Sequence, residues 1–287
     1  MNRRWSRTLA LGALLLACAS LVAVVFAAAH PGGEAAVEAG TLGAVRPFFA
    51  PVRRHRLPPP PPAVPDEDAI ADADDWLATR AGRTAFACVD SAGVLHGVRV
   101  HERFHSASLV KAMLLTAYLE AVDEQERPLT SAEAALLEPM IEVSDNDAAS
   151  AIFARVGQDG LQRLALQAGM TDFSPSAAWG LTEISAADQA RFFSRLDELL
   201  PDRSEAFARR LLRSVTPSQR WGIPAAAEPR GWRVLFKGGW LEGIVNQAAR
   251  IEREDGTTLS LAVLTDGNSS MGYGIETIEG VASRLLA

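Results

Sequence analysis

Lysine is almost missing from this chain. Of its 28 basic side chains 26 are arginine, and the two lysines fall inside short motifs, Ser108-Leu109-Val110-Lys111 and Lys237-Gly238-Gly239. Arginine keeps its proton, whereas lysine can lose it or act as a compact point charge. The two positions that kept lysine are therefore the first candidates for chemistry. Cysteine is equally scarce, with Cys18 in an N-terminal apolar run and Cys88 in an apolar stretch. That excludes a disulfide framework in the folded body and makes Cys88 a small buried hydrophobe. The five histidines all precede Ser108, and no glycine-rich phosphate loop is present. His101 and His105 sit where a hairpin exits and read as structural, so neither a metal nor a cofactor is expected.

A basic face is also lacking. Residues 1–56 hold seven Arg and two Glu, which leaves the remainder at a net charge of about −12 out of a total of −7. An acidic body excludes nucleic acid as a partner, because phosphate backbones demand positive charge. With 287 residues, 48% of them hydrophobic, the chain can still bury a large core.

The apolar material is concentrated at the start. Arg3, Arg4 and Arg7 precede 22 residues without a charge, 8–29. That length spans a bilayer, and the basic flank orients the body outward. Residues 1–29 are a signal peptide or a single-pass membrane anchor, and the length favours the anchor. Residues 30–65 form a linker, stiffened by the unbroken proline run 58–62. The folded body is expected over 66–287, exported and either membrane-anchored or secreted. The arginines at 46–56 suit either anionic lipid or solvent.

Within the body the pattern predicts a helix over 66–79, then a hairpin of strands 84–89 and 94–100. A helix over 108–121 follows, with Val110, Met113, Leu114, Ala117 and Tyr118 at the 3.6-residue period. Further helices are expected over 131–143, 147–156 and 158–168, with others starting near Ser185 and Ser204. Strands 234–240, 247–253 and 259–265 come last, before a helix over 276–286. The order implies a mixed α/β fold, with one five-stranded antiparallel sheet flanked by helices and an all-α subdomain inserted.

Ser108 and Lys111 stand three residues apart at a helix start, so their side chains face the same way. A serine hydroxyl becomes a nucleophile when a base takes its proton, and burial makes lysine such a base. Ser144-Asp145-Asn146 precedes the next helix, where an N-cap is the ordinary use of those residues. Lys237-Gly238-Gly239 lies within an apolar strand, and glycine there marks a close approach.

Taken in order on helix, loop and strand, these motifs resemble the active-site set of serine β-lactamases and penicillin-binding D,D-peptidases, Ser-x-x-Lys, Ser-Asp-Asn and Lys-Thr-Gly. The likeness includes Glu102-Arg103-Phe104 and Gly243-Ile244-Val245 and is closest to the class A branch. It implies Ser108 as nucleophile and Lys111 as its neutral base. Ser144 would relay a proton, Asn146 would hold the substrate amide, and Lys237 would be a fixed positive charge. Gly239 belongs to the substrate-binding strand, and the N–H groups of Ser108 and Trp240 would form an oxyanion hole. The implied substrate is a β-lactam or a peptidoglycan peptide, the implied intermediate an acyl-serine, and a monomer is expected. A D,D-peptidase, an esterase-type penicillin-binding protein and a non-catalytic wall-binding module remain alternatives.

Three departures qualify the likeness. Ser108 and Ser144 are only 36 residues apart, closer than in class A enzymes. Gly238 replaces a threonine whose hydroxyl would bind the substrate carboxylate, a role Arg220 could take over. Residues 172–185 hold one glutamate, Glu183, without the family's Glu-x-x-Leu-Asn pattern, so a base for releasing the acyl group is not evident.

Overall fold

A computed structural model describes residues 65–287. The apolar stretch 8–29, Cys18 and the proline run 58–62 lie outside them, and no helix among the described residues is long and apolar enough to cross a membrane. The chain starts with α1 (Glu67–Ala78), capped by Asp66, whose carboxylate accepts from Ala69 N at 2.8 Å. Strands β1 (Arg83–Val89) and β2 (Leu95–Val98) form the expected hairpin, and β3 (Arg103–His105) leads to a 3-10 turn over Ala107–Val110. Helices α2 (Lys111–Asp123), α3 (Ser131–Glu142) and α4 (Asn146–Gln167) follow, then β4 (Glu183–Ser185), α5 (Ala186–Ser194), α6 (Leu196–Leu199), α7 (Asp202–Arg213) and α8 (Ile223–Ala227). The chain closes with β5 (Arg233–Leu241), β6 (Ile244–Glu252), β7 (Thr258–Asp266) and α9 (Met271–Leu285).

The main sheet has five strands, all antiparallel as the sequence implied, and their order is β2-β1-β7-β6-β5. Helices α1, α8 and α9 pack together, with α9 lying on β6 and β7, while α5 packs against β1 and β7. Helix α2 packs against α3, α4 and α7, with nearly every side chain buried, as a core helix requires. Strand β5 is a sheet edge, so one row of its backbone groups is left for another use.

Three differences from the sequence reading have physical reasons. Ser108 lies on the 3-10 turn and not in the first turn of an α-helix, because the chain enters through Ala107 at φ 48° and closes tightly, Leu109 N donating to Ser106 O at 3.1 Å. The last helix starts five residues earlier than its periodicity indicates. Ser270 caps it, and Gly272 and Gly274 weaken the helical signal. A Cβ on Gly274 would stand 2.5 Å from Val245 Cγ2, so close packing against β6 requires the glycine. The small β3–β4 sheet pairs His105 with Glu183 and carries too few residues to show an alternation. The two helices expected either side of residue 157 do occur, within α4, where Gly157 at φ 67° and ψ 177° breaks the geometry.

Candidate active site

Strand alternation sets the site. Lys237 and Gly239 face one side of β5, and Gly238 and Trp240 face the other. A Cβ on Gly239 would fall 2.6 Å from Leu109 N and 2.7 Å from both Ser106 O and Ser108 N. All three are backbone atoms and cannot rotate aside. The glycine thus marks a close approach, but of the Ser108 turn itself. Asn246, opposite Gly239 in the register, fixes the turn from below: its Nδ2 donates to His105 O at 2.9 Å and its Oδ1 accepts from Thr265 N at 2.9 Å. A polar residue in the middle of an apolar strand was the available signal for Asn246.

The Ser144-Asp145-Asn146 motif divides its work. Asp145 alone caps α4, accepting from Ala148 N at 2.7 Å. Ser144 is held at φ 62°, a left-handed conformation that costs a non-glycine residue about 1–3 kcal/mol. That twist turns both its carbonyl and its hydroxyl to the lysines. Lys111 Nζ donates to Ser144 O at 2.5 Å, to Asn146 Oδ1 at 2.8 Å and to Ser144 Oγ at 3.2 Å. Lys237 Nζ reaches the same Ser144 Oγ at 3.2 Å and donates to Gly238 O at 2.8 Å. Ser144 Oγ therefore bridges the only two lysines of the chain.

Both lysine side chains are fully buried. Burial pushes Lys111 down to about 8, with the Asp145 charge acting against it. Burial pushes Lys237 down to about 7, and the neighbouring Lys111 charge adds to the effect. Lys111 is surrounded by three acceptors, matching the three hydrogens of an ammonium; Lys237 has two. By acceptor count alone, an ammonium is better matched at Lys111 than at Lys237. Among the described residues no hydrogen bond joins Ser108 to Lys111. Ser108 is half-buried and opens on a cavity of about 490 Å³, which Asn146 and Trp240 also line.

The opposite wall comes from residues 177–181, with Phe153 beside it. Trp179 is its centre. Its ring lies 4.9 Å from Lys111 Nζ, a cation–π contact, and its Nε1 donates to Ser150 Oγ at 3.2 Å. A single tryptophan at the start of a three-residue 3-10 turn gives no periodic signal, and the sequence reading missed it. Glu183 lies on β4, not at a helix start, and pairs with Arg103 at 3.4 Å. Asp172, the other acid of this segment, is 2.8 Å from both His101 Nδ1 and Ser185 Oγ.

Arg220 is likewise committed elsewhere. It pairs with Glu228, donates to Arg213 O at 2.7 Å and lies 5.2 Å over the Phe236 ring. His101 and His105 bracket Glu102 in the order His-Glu-x-x-His, but the segment is turn and strand, and His105 Nδ1 lies 3.2 Å from Leu181 O. No group of three His, Cys, Asp or Glu side chains among the described residues could hold a metal. Cys88 is a buried free thiol, pushed up to about 12 by burial, as a structural cysteine should be.

Comparison with known proteins gives a family and a fold. A family model described as the beta-lactamase enzyme family matches residues 130–287, which include Ser144, Asn146 and Lys237. No curated protein matches. Among solved structures, a β-lactamase from Sphaerobacter thermophilus is 24% identical over 75% of this chain and 94% of its own, with a TM-score of 0.65. The class A β-lactamase from Mycobacterium abscessus is 22% identical over 76% of this chain and 98% of its own, with a TM-score of 0.65. PBP-A is 19% identical over 79% of this chain and 97% of its own, with a TM-score of 0.67; a variant of it has been solved as an acyl-enzyme with penicillin G.

Proposed function

The chain belongs to the β-lactamase enzyme family, a serine hydrolase of that fold, and from that premise we propose that it forms an acyl-serine on Ser108 when a β-lactam ring opens, and releases it slowly. The observation that carries this reading is Ser144 Oγ held 3.2 Å from both buried lysines beside a solvent-accessible serine.

In this reading a proton first passes from Lys111 through Ser144 to Lys237, which leaves Lys111 neutral. Lys111 then takes the Ser108 proton as Oγ attacks the β-lactam carbonyl. The oxyanion is met by the Ser108 and Trp240 N–H groups, the second on the free edge of β5. Ser144 delivers its proton to the nitrogen as the C–N bond breaks, and Lys111 restores it. The acyl group remains on Ser108. Asn146 keeps its Nδ2 free for a carbonyl of the substrate, since Oδ1 accepts from Lys111.

Slow release follows from the opposite wall. Asp172 and Glu183 are engaged with His101, Ser185 and Arg103, and residues 177–181 offer the site no carboxylate to activate water. Such behaviour is that of a penicillin-binding protein and not of an enzyme with rapid β-lactam turnover. Export of the body rests on residues 8–29 alone, and a reporter fused after residue 65 that stayed cytoplasmic would contradict it.

The test is covalent labelling. Incubation of the purified protein with a β-lactam should add the whole β-lactam mass to the peptide holding Ser108, and Ser108→Ala should remove the adduct. Equal behaviour of the two proteins would overturn the acyl-serine reading.

A further inference from the structure

The cavity beside Ser108 has no cation among its lining side chains. Lys111 and Lys237 are fully buried and are not part of its lining, and their hydrogen bonds go to Ser144, Asn146 and Gly238. Arg220 is fixed on the opposite face of β5 through Glu228 and Phe236. None of the side chains lining the cavity is charged; Phe153, Trp179, Leu181, Trp240 and Leu241 give it an apolar character.

The strand position after Lys237 is closed as well. Gly238 brings no side chain, and a Cβ there would stand 3.3 Å from Trp221 Cη2 and 3.4 Å from Cζ2. Trp221 is held in that place from both directions. Gln247, opposite Gly238 in the register, donates to Trp221 O at 2.8 Å and accepts from Ile223 N at 2.6 Å. Gly222 lets the chain pass, because a Cβ on it would be 2.4 Å from Gln247 Oε1. The Trp221 and Trp240 rings meet edge to face at 6.1 Å and 68°. A tryptophan braced this way keeps hydroxyls and cations off that edge of the strand. The net negative charge of residues 57–287 further disfavours an anion.

We propose that the site selects uncharged acyl donors with an apolar acyl group, and draws no binding from a substrate carboxylate. This rests on the acyl-serine reading and names its substrate class. In an ester of this class the Ser108 Oγ–acyl bond forms, the C–O bond to the alcohol breaks and the serine proton leaves with the alcohol. Water later returns the acid.

The experiment uses matched pairs: a penicillin as free acid and as its methyl ester, with a neutral p-nitrophenyl ester of a short fatty acid as a third substrate. Acylation of Ser108 is followed by intact mass. The methyl ester should acylate at least as fast as the acid. A charged contact to a carboxylate would instead favour the acid by about tenfold or more, and that ratio would overturn the proposal. Opening the blocked position with Trp221→Ala and Gly238→Thr together should raise the acid-to-ester ratio; an unchanged ratio counts against the role given to Trp221. If the acid outpaces the ester while Ser108 is still acylated, only the substrate class falls. If no reagent acylates Ser108, the acyl-serine reading falls with it.

Discussion

On one side of the cavity Lys111, Ser144, Asn146 and Lys237 are joined by hydrogen bonds of 2.5 to 3.2 Å, with the Ser108 turn seated on Gly239. On the other side residues 177–181 present small and apolar side chains around one indole. The first side holds two buried lysines with no carboxylate hydrogen-bonded to either, together with a strained serine, an arrangement that costs stability and is retained where chemistry needs it. The second side holds no group that could move a proton. In the acyl-serine reading, chemistry that would load Ser108 is therefore concentrated, and chemistry that would unload it is sparse.

The comparison can be broken most severely at Gly239. Gly239→Val drives a side chain into the backbone at Ser106, Ser108 and Leu109 and should cut the acylation rate by about 100-fold or more, since misplacement by about 1 Å is that costly. Circular dichroism must show the fold retained. A fall of less than threefold would mean the turn is not seated as described.

The lysines come next. Lys111→Met should lower acylation by about 10²–10⁴-fold, the usual contribution of a general base. Loss of adduct formation is read by intact mass, and a Lys111→Arg protein should do no better, because arginine keeps its proton.

The apolar wall is sharpened by giving it what it lacks. Ala178→Glu, on the lining of the cavity, should shorten the life of the acyl-enzyme by about tenfold, less than the roughly 10²–10⁴-fold of a well-positioned base because the new carboxylate is not oriented. If release in the unaltered protein is already fast, the contrast between the walls is wrong.

The smallest effect is in pH. Both lysines lie below the ordinary value of 10.5, near 8 and 7, and titrate as a coupled pair. Acylation should rise between about pH 7 and 8 as the pair sheds its first proton. For stability the unfolded chain binds more protons than the native one between these values and 10.5. Their cost is thus complete below about pH 7 and shrinks as pH climbs. Urea midpoints of the unaltered protein and of Lys237→Met should converge between pH 7 and pH 9; parallel curves would place Lys237 in contact with water.

The lysine side of the cavity was legible because it departs from background. Two lysines in an arginine-rich chain, a glycine pair in a strand and a Ser-Asp-Asn cluster each stood out, and Gly157 punctuated α4 at the position its type implies. What remained hidden depended on tertiary placement. Trp179, on a three-residue 3-10 turn, and Trp221, between elements, are single aromatics whose placement shows only through what lies beneath each ring. Strands β3 and β4 are three residues each, too short for a period-two pattern. Which lysine holds the proton depends on the acceptors each one meets, and the motif spacing carries no record of them.

The most direct measurement is the lifetime of the Ser108 adduct. Unaltered protein is mixed with excess β-lactam, freed of reagent, and followed by intact mass. The account predicts one adduct of the full β-lactam mass, absent in Ser108→Ala, that persists for hours. No adduct at all, or free protein restored within seconds as opened β-lactam accumulates, would contradict it.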